Sequence, residues 1–411
     1  MTEQDPFIIV GASLAGAKAA EALREEGYEG PIILIGDEED RPYERPALSK
    51  EYLQGKAERD SFDVHVADWY DAHHVQLRLS TTVTAINPAT HRVTLGDGTQ
   101  LRYAKLLLTT GSRVRPLAVP GADLAGVHYL RTVADSDGIR AAFAKASRVV
   151  VIGAGWIGLE TAAAARAADV EVTVLENAEL PLLRVLGAEV AQSFADLHTD
   201  HGVDLRLGVS VKALTGDNGR VTGVELEDGT HLEADAVIVG VGIVPNSDIA
   251  EAAGLEVDNG VRVNASLQSS DADIYAAGDV ANAHHPFLQR QLRVEHWANA
   301  TYQPAVAAKS MLGTAGEYDS LPYFFSDQYD LGMEYTGYAE PAECDEVVIR
   351  GSLKDREYIA FWLMGGKVQA GMNVNVWDVT EDIEALIRSG KQVDTAQLAN
   401  TDTPLGSVIQ H

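Results

Sequence analysis

Two glycine-rich turns hold the residues whose types and spacing best suit chemistry. Gly11-Ala-Ser-Leu-Ala-Gly16 follows the apolar run Phe7 to Val10, and Gly153-Ala-Gly155-Trp-Ile-Gly158 follows Val149 to Ile152. Each turn opens a small-residue helix, and each helix leads to a second apolar run that ends in an acid, Asp37 or Glu176. Such a turn aims free helix N–H groups and the positive end of the helix dipole at one point, which suits a pyrophosphate. An acid about 20 residues further on suits a ribose hydroxyl. The second turn keeps the full G-x-G-x-x-G pattern as Gly153, Gly155 and Gly158; in the first, Ser13 replaces the middle glycine. Serine is small enough for a close phosphate approach, but its φ is no longer free. One glycine motif is weak evidence. Two copies, each in strand–turn–helix–strand–acid context, predict two bound dinucleotides. Glu176 favours NADH over NADPH, because a carboxylate pairs with ribose hydroxyls and repels a 2′-phosphate; Arg184, close downstream, acts the other way.

The elements that must position these turns are legible around them. Phe7 to Val10 lacks polar alternation, as expected of a strand buried on both faces, and Leu106 to Thr109 reads the same way before Thr110-Gly111 ends it. The loop EEDRPYERPALSKEYLQG after Asp37 reads as a surface loop closing on a helix that starts near Ser49, or as a segment whose Arg45 and Lys50 face a ligand anion. Short strands and turns follow over 75–111, with a hairpin at Gly96-Asp-Gly98. RVRPLAVPGAD is a Pro-rich junction, and VGVGIVPN, which contains Gly242, echoes the earlier TTGSRVRP. Asp279 follows a short apolar strand and Ala-Ala-Gly, and its simplest reading is a cap for a following helix. From Leu321 the pattern changes to the strands EYTGYA, EVVIRG, EYIAFWLM and KVQAGMNV, then a helix capped by Asp378 with Glu381 and stopped by Gly390. The expected fold class is α/β, with two Rossmann-like dinucleotide-binding domains and a C-terminal α+β domain. The expected division is 1–114, 115–243, 244–320 and 321–411, the first and third segments forming one domain.

Bulk properties narrow the function classes. The 411-residue chain is too long for one simple core, and 46% apolar residues are ample for several. With 61 acidic and 32 basic residues, the net charge of −29 makes nucleic acid and anionic membrane poor partners. The acidic opening MTEQDP does not read as a targeting peptide, so the cytoplasm is the expected address. A single cysteine, Cys344, rules out an internal disulfide and a dithiol redox pair.

Together these segments resemble the FAD- and NAD-dependent ferredoxin reductases that serve Rieske-type oxygenases and haem monooxygenases and share the two-dinucleotide fold of glutathione reductase. The resemblance runs through VGASLAGAKAAEALR, YERPALSKEYL, GSRVRPL, VIGAGWIGLE, IYAAGDVAN, RVEHWANA and PYFFSDQYDLGMEYTGY; AAGD and SDQYD are its specific parts. It implies that Gly11, Leu14, Ala15 and Gly16 hold the FAD pyrophosphate, with Ser13 counted among the cofactor-binding residues by its place in that turn, that Asp37 holds its ribose, and that Arg45 and Lys50 line the flavin. It places Val83 at the adenine, makes Arg131 and Asp279 polar FAD contacts, and sets Glu295, His296 and Trp297 beside the isoalloxazine. Thr110, Gly111 and Gly242, in the two echoing turns, join the cofactor-binding set. Gly153, Gly155, Ile157, Gly158 and Glu176 match the NADH site, with Arg184 beside it. Glu160 matches a carboxylate facing the flavin lysine, Lys50; without the resemblance, a solvated helix glutamate and a loop lysine are the simpler readings.

Glutathione-type reductases and NADH oxidases of this fold need redox cysteines where this chain has Ala47, Leu48, Ser49 and Lys50. The expected chemistry is therefore NADH to FAD to an outside two-iron two-sulfur ferredoxin, with Lys50 stabilising negative charge on the reduced ring and Glu160 tuning it. A partner-binding flavoprotein resembling apoptosis-inducing factor, or a reductase of rubredoxin or of a nitrite-reducing partner, are the alternatives; a monomer or homodimer is expected. Arg290 and Arg293, just before Glu295, are expected either to form part of a ferredoxin patch or merely to solvate a strand.

Overall fold

The computed structural model describes residues 5–314 and 316–409, so the opening MTEQ lies outside the described residues. The chain forms two compact units.

The first unit comprises Met1–Glu44, Glu58–Arg113 and Ile243–Ser320. Its centre is a five-stranded parallel sheet in the order Ile274–Ala276, Lys105–Leu108, Phe7–Val10, Ile32–Ile35, Val75–Arg78. Phe7–Val10 is central, with Ile8 opposite Ile33 on one side and Leu106 on the other. All four of its residues are buried, which explains the unbroken apolar run. Helix Leu14–Glu25 packs on helix Trp297–Met311. Ala17, Ala19 and Ala20 on the first of these helices are fully buried, and their small side chains let the backbones approach. The Gly96–Gly98 hairpin forms as expected, Gly98 N–H donating to Leu95 O. Asp279 lies in a 3₁₀ turn, Gly278–Val280, that runs into the strand Ala281–His285, so there is no following helix for it to cap.

The second unit comprises Arg45–Ala57, Val114–Gly242 and Leu321–His411. Its parallel sheet runs Asp204–Arg206, Glu171–Leu175, Arg148–Ile152, Ala236–Val239, Val127–Tyr129. Its antiparallel sheet runs Tyr323–Gln328, Leu331–Gly337, Lys367–Val374, Glu357–Met364, Glu346–Ser352. Two local expectations are corrected here. No α-helix starts near Ser49: Arg45–Ser49 is a 3₁₀ helix, and separate turns follow until Gly55, at φ +71°, closes the run. Helix Thr380–Ser389 carries no side-chain cap, because Asp378 sits at φ +60° and Val379 takes the cap position; Gly390 does end it, at φ +59°.

Candidate functional site

In the first unit, Gly11 takes φ +121°, and a Cβ there would lie 2.1 Å from Thr109 O; one on Gly16 would lie 2.0 Å from Gly11 O. Only glycine closes this turn so tightly. Ser13 is the extended N-cap of helix Leu14–Glu25, yet its side chain makes no capping bond and no acid occupies the first turn. The helix N-terminus thus keeps its positive end uncompensated by side chains. Leu14, Ala15 and Gly16 are buried behind it. Gly278, at φ +78°, approaches so closely that a Cβ would lie 3.2 Å from the Ala15 Cβ, which brings the Asp279 turn up to the glycine turn. Asp37 is exposed just past its strand, and Val83 is buried at the start of strand Val83–Asn87. Thr110 and Gly111 are tied to Asn246: Thr110 Oγ1 donates to Asn246 O at 2.8 Å, and Asn246 N–H donates to Gly111 O at 2.9 Å.

Glu295, His296 and Trp297 form the entry to the long helix Trp297–Met311. Trp297 Nε1–H donates to Glu44 at 3.0 Å. Desolvation lowers the His296 imidazole to about 4, against the opposite pull of the Asp279 carboxylate. The two arginines nearby differ. Arg290 is exposed on a short strand, whereas Arg293 is folded inward, pairing with Glu295 at 2.8 Å and donating to Asp279 O at 3.2 Å. With 9% of its side chain exposed, Arg293 is not available to a docking surface. It braces the Asp279 turn instead, which corrects the expectation of a two-arginine patch.

In the second unit the turn repeats with more room. Gly153 takes φ +99°, and a Cβ on Gly158 would lie 2.0 Å from Gly153 O, whereas the Cβ position of Gly155 faces open space. Gly155 caps helix Trp156–Ala167, again with no side-chain cap and no acid in the first turn. Ile157, 45% exposed, stands in that first turn. Both oxygens of Glu176 accept backbone N–H groups, Oε2 from Ala154 at 2.8 Å and Oε1 from Ala178 at 2.9 Å. This carboxylate therefore fixes the glycine turn and still has lone pairs able to accept further hydrogen bonds. Arg184 is exposed on the short helix Leu183–Leu186, and Gly242, at φ +101°, accepts Arg115 N–H through its carbonyl.

The same unit brings Lys50 and Glu160 together. Lys50 Nζ lies 2.9 Å from Glu160 Oε1, and both side chains are buried. Ser49 Oγ–H donates to Glu160 Oε2, and Ser326 Oγ–H donates to Oε1 at 2.7 Å. The Lys50 ammonium also lies over the Phe325 ring, 5.2 Å from its centroid. Desolvation raises the pKa of the neighbouring Asp327, with Lys50 pulling it down and Glu160 pushing it further up. Arg45 donates to the backbone carbonyl of Arg131, so these two candidates are neighbours. Sequence reasoning assigned no role to Ser49, Ser326 or Phe325. The strand that carries Ser326, Tyr323–Gln328, begins with three consecutive aromatic residues and so hides its alternation.

These features fit the two dinucleotides that the sequence implies. Each glycine turn presents an uncapped helix N-terminus, each lies beside an acid at a strand end, and the Gly155 position is open where a phosphate would approach. Comparison with known proteins points the same way. Residues 5–303 match the model of the pyridine nucleotide-disulphide oxidoreductase family, and residues 323–409 match a reductase C-terminal domain. The chain is 42% identical to the ferredoxin–NAD(+) reductase component of an anthranilate 1,2-dioxygenase system from Burkholderia cepacia, over 98% of this chain and 99% of that protein. It is 39% identical to putidaredoxin reductase from Pseudomonas putida, over 100% of this chain and 98% of that one. The crystal structure of a covalent putidaredoxin reductase–putidaredoxin complex superposes with a TM-score of 0.95, covering 98% of both chains at 39% identity. On these matches, the chain belongs to the pyridine nucleotide-disulphide oxidoreductase family.

Proposed function

We propose that the protein is an NADH-dependent, FAD-containing reductase that passes electrons to a two-iron two-sulfur ferredoxin serving an oxygenase. The observation that carries this reading is the pair of uncapped glycine turns, one in each unit, in a chain whose one cysteine lies far from both in sequence. The relatives named as ferredoxin reductase components of oxygenase systems support it. When bound, FAD would supply the redox chemistry that links a two-electron nicotinamide donor to a one-electron iron–sulfur acceptor. The chain's own residues do the rest. The first turn, with Asp37 and Asp279, holds FAD, and the second, with Glu176, holds NADH. Lys50 would supply a cation to the flavin, and Glu160 holds that ammonium in place. The acidic surface weighs against nucleic acid and anionic membrane as partners, and no helix among the described residues is long and apolar enough to cross a membrane. The cytoplasm, where NADH is available, is the compartment this reading calls for. NADH-driven cytochrome c reduction that requires added ferredoxin tests the assignment; equal rates without ferredoxin would overturn it.

Two further outcomes are expected. The purified protein should be yellow, and acid precipitation should release all of its FAD, because the site binds through backbone N–H groups and carboxylates; flavin retained in the pellet would disprove this. Cys344→Ser should keep ferredoxin-dependent turnover within a few-fold of the parent. Burial, then Asp345 and Glu343, raise the Cys344 thiol pKa, the opposite of what a redox thiolate needs. Loss of turnover in folded, FAD-loaded Cys344→Ser protein would reveal a redox thiol.

A further inference from the structure

The Lys50–Glu160 pair is one end of a longer buried chain of side chains. Ser326 Oγ, which donates to Glu160, lies 3.1 Å from Gln328 Nε2. Gln328 Oε1 lies 2.8 Å from His198 Nε2, and His198 Nδ1 lies 3.2 Å from the Tyr329 hydroxyl. Ser326, Gln328 and His198 are at most 1% exposed. Tyr329 in turn stacks on His201, with ring centroids 3.8 Å apart, and His201 lies 3.8 Å from the exposed Asp330.

The direction of each bond follows from its neighbour. An ion-paired carboxylate only accepts, so the Ser326 proton is committed to Glu160 and the Ser326 oxygen must accept from Gln328. The Gln328 carbonyl then faces His198, and His198 Nε2 must carry the proton. Nδ1 of a neutral imidazole is left as an acceptor and takes the Tyr329 hydroxyl proton. Every donor in the chain therefore points toward Glu160, and aligned bonds polarise one another. Burial keeps His198 neutral, lowering its pKa to about 4; the bond to Gln328 opposes this and His201 adds to it.

We propose that Ser326, Gln328 and His198 are positioning residues for the Lys50–Glu160 pair. Their one-directional chain of hydrogen bonds holds the Glu160 carboxylate as the acceptor of Lys50 and so sets the field that the ammonium presents to the flavin. Only the reference to flavin rests on the function proposed above; the chain itself does not. The other titratable or charged groups that face it are Asp327 beside the pair, with Glu51 and Glu334 acting on Asp327, and Arg166, His201 and Asp330 around Tyr329 at the far end.

The test reads the His198 ring nitrogens by ¹⁵N NMR in FAD-loaded, histidine-labelled protein, with His198→Phe providing the assignment. The Nε2–H tautomer is expected at neutral pH. Glu160→Gln should shift the His198 signals, and that shift should disappear when Ser326→Ala or Gln328→Met breaks the chain between them. An Nδ1–H tautomer, or a Glu160→Gln response that persists in both broken-chain backgrounds, would overturn the chain. The midpoint potential of bound FAD supplies the functional arm, with Lys50→Met as its reference. Ser326→Ala and Gln328→Met should move that potential in the same direction as Glu160→Gln, by a smaller amount. A potential that responds to Lys50→Met but to neither broken-chain variant would overturn the positioning role. A potential indifferent to Lys50→Met would overturn the placement of the flavin alone, and the NMR result would still decide the chain.

Discussion

Glu160→Ala is expected to lower the stability of the protein by about 3–5 kcal/mol, the usual cost of leaving one member of a buried ion pair unpaired. Lys50 and Glu160 are both buried, so neither charge can be rescued by water without opening the structure. The two single deletions should not be equal. In Lys50→Met the Glu160 carboxylate keeps the Ser49 and Ser326 hydroxyls as donors. In Glu160→Ala the Lys50 ammonium keeps the face of the Phe325 ring and the longer-range pull of Asp327, weaker partners than a directly paired carboxylate. Glu160→Ala should therefore be the more damaging, and Lys50→Met combined with Glu160→Gln should recover part of the loss by removing both charges. Denaturant midpoints of the FAD-free proteins would check the order, since without cofactor any effect on FAD affinity drops out. Equal midpoints for Glu160→Ala and the parent would show that Lys50 finds another partner and that the pair is not a structural unit.

That pair also marks where the sequence stops being legible. The two βαβ units could be read directly, because a strand buried on both faces must be apolar throughout and a glycine turn before a helix has few alternatives. Phe7 to Val10 and Val149 to Ile152 lie at interior positions of their sheets for that reason. Lys50 and Glu160 are 110 residues apart, and nothing local distinguishes them from a loop lysine and a solvated helix glutamate; only the family resemblance pointed to the pair. Ser326, Gln328 and His198 are not legible in the sequence for a related reason. A buried polar residue is defined by its partners, and those partners come from elements distant in sequence. Arg290 and Arg293 show the limit at short range. Three residues apart and alike in sequence, one is exposed on its strand, while the other turns inward to Glu295 and Asp279 O. Asp378 shows it for capping, since the residue types were right for a box but the backbone took φ +60°.

Glu176→Gln is expected to lower kcat/KM for NADH by roughly tenfold or more, with little or no gain for NADPH. Hydrogen bonds to a charged group contribute about 1.5–3 kcal/mol, and about 1.4 kcal/mol is tenfold. If this carboxylate were only a ribose ligand and a charge filter, removing the charge would weaken NADH and admit the 2′-phosphate of NADPH together. The structure gives it a second task, because its two oxygens accept the N–H groups of Ala154, inside the glycine turn, and of Ala178, beyond the strand. A glutamine can accept through one oxygen only, so one of those N–H groups loses its partner and the turn proposed to bind pyrophosphate loosens for either nucleotide. Discrimination should thus narrow mainly because NADH is used less well, and the exposed Arg184 should not restore efficiency with NADPH. Steady-state kinetics with both nucleotides and a small artificial acceptor would separate the two accounts. Equal use of NADH and NADPH by the native protein would refute the role of Glu176 in nucleotide choice. A Glu176→Gln enzyme that uses NADPH as well as the parent uses NADH would refute its role in holding the turn.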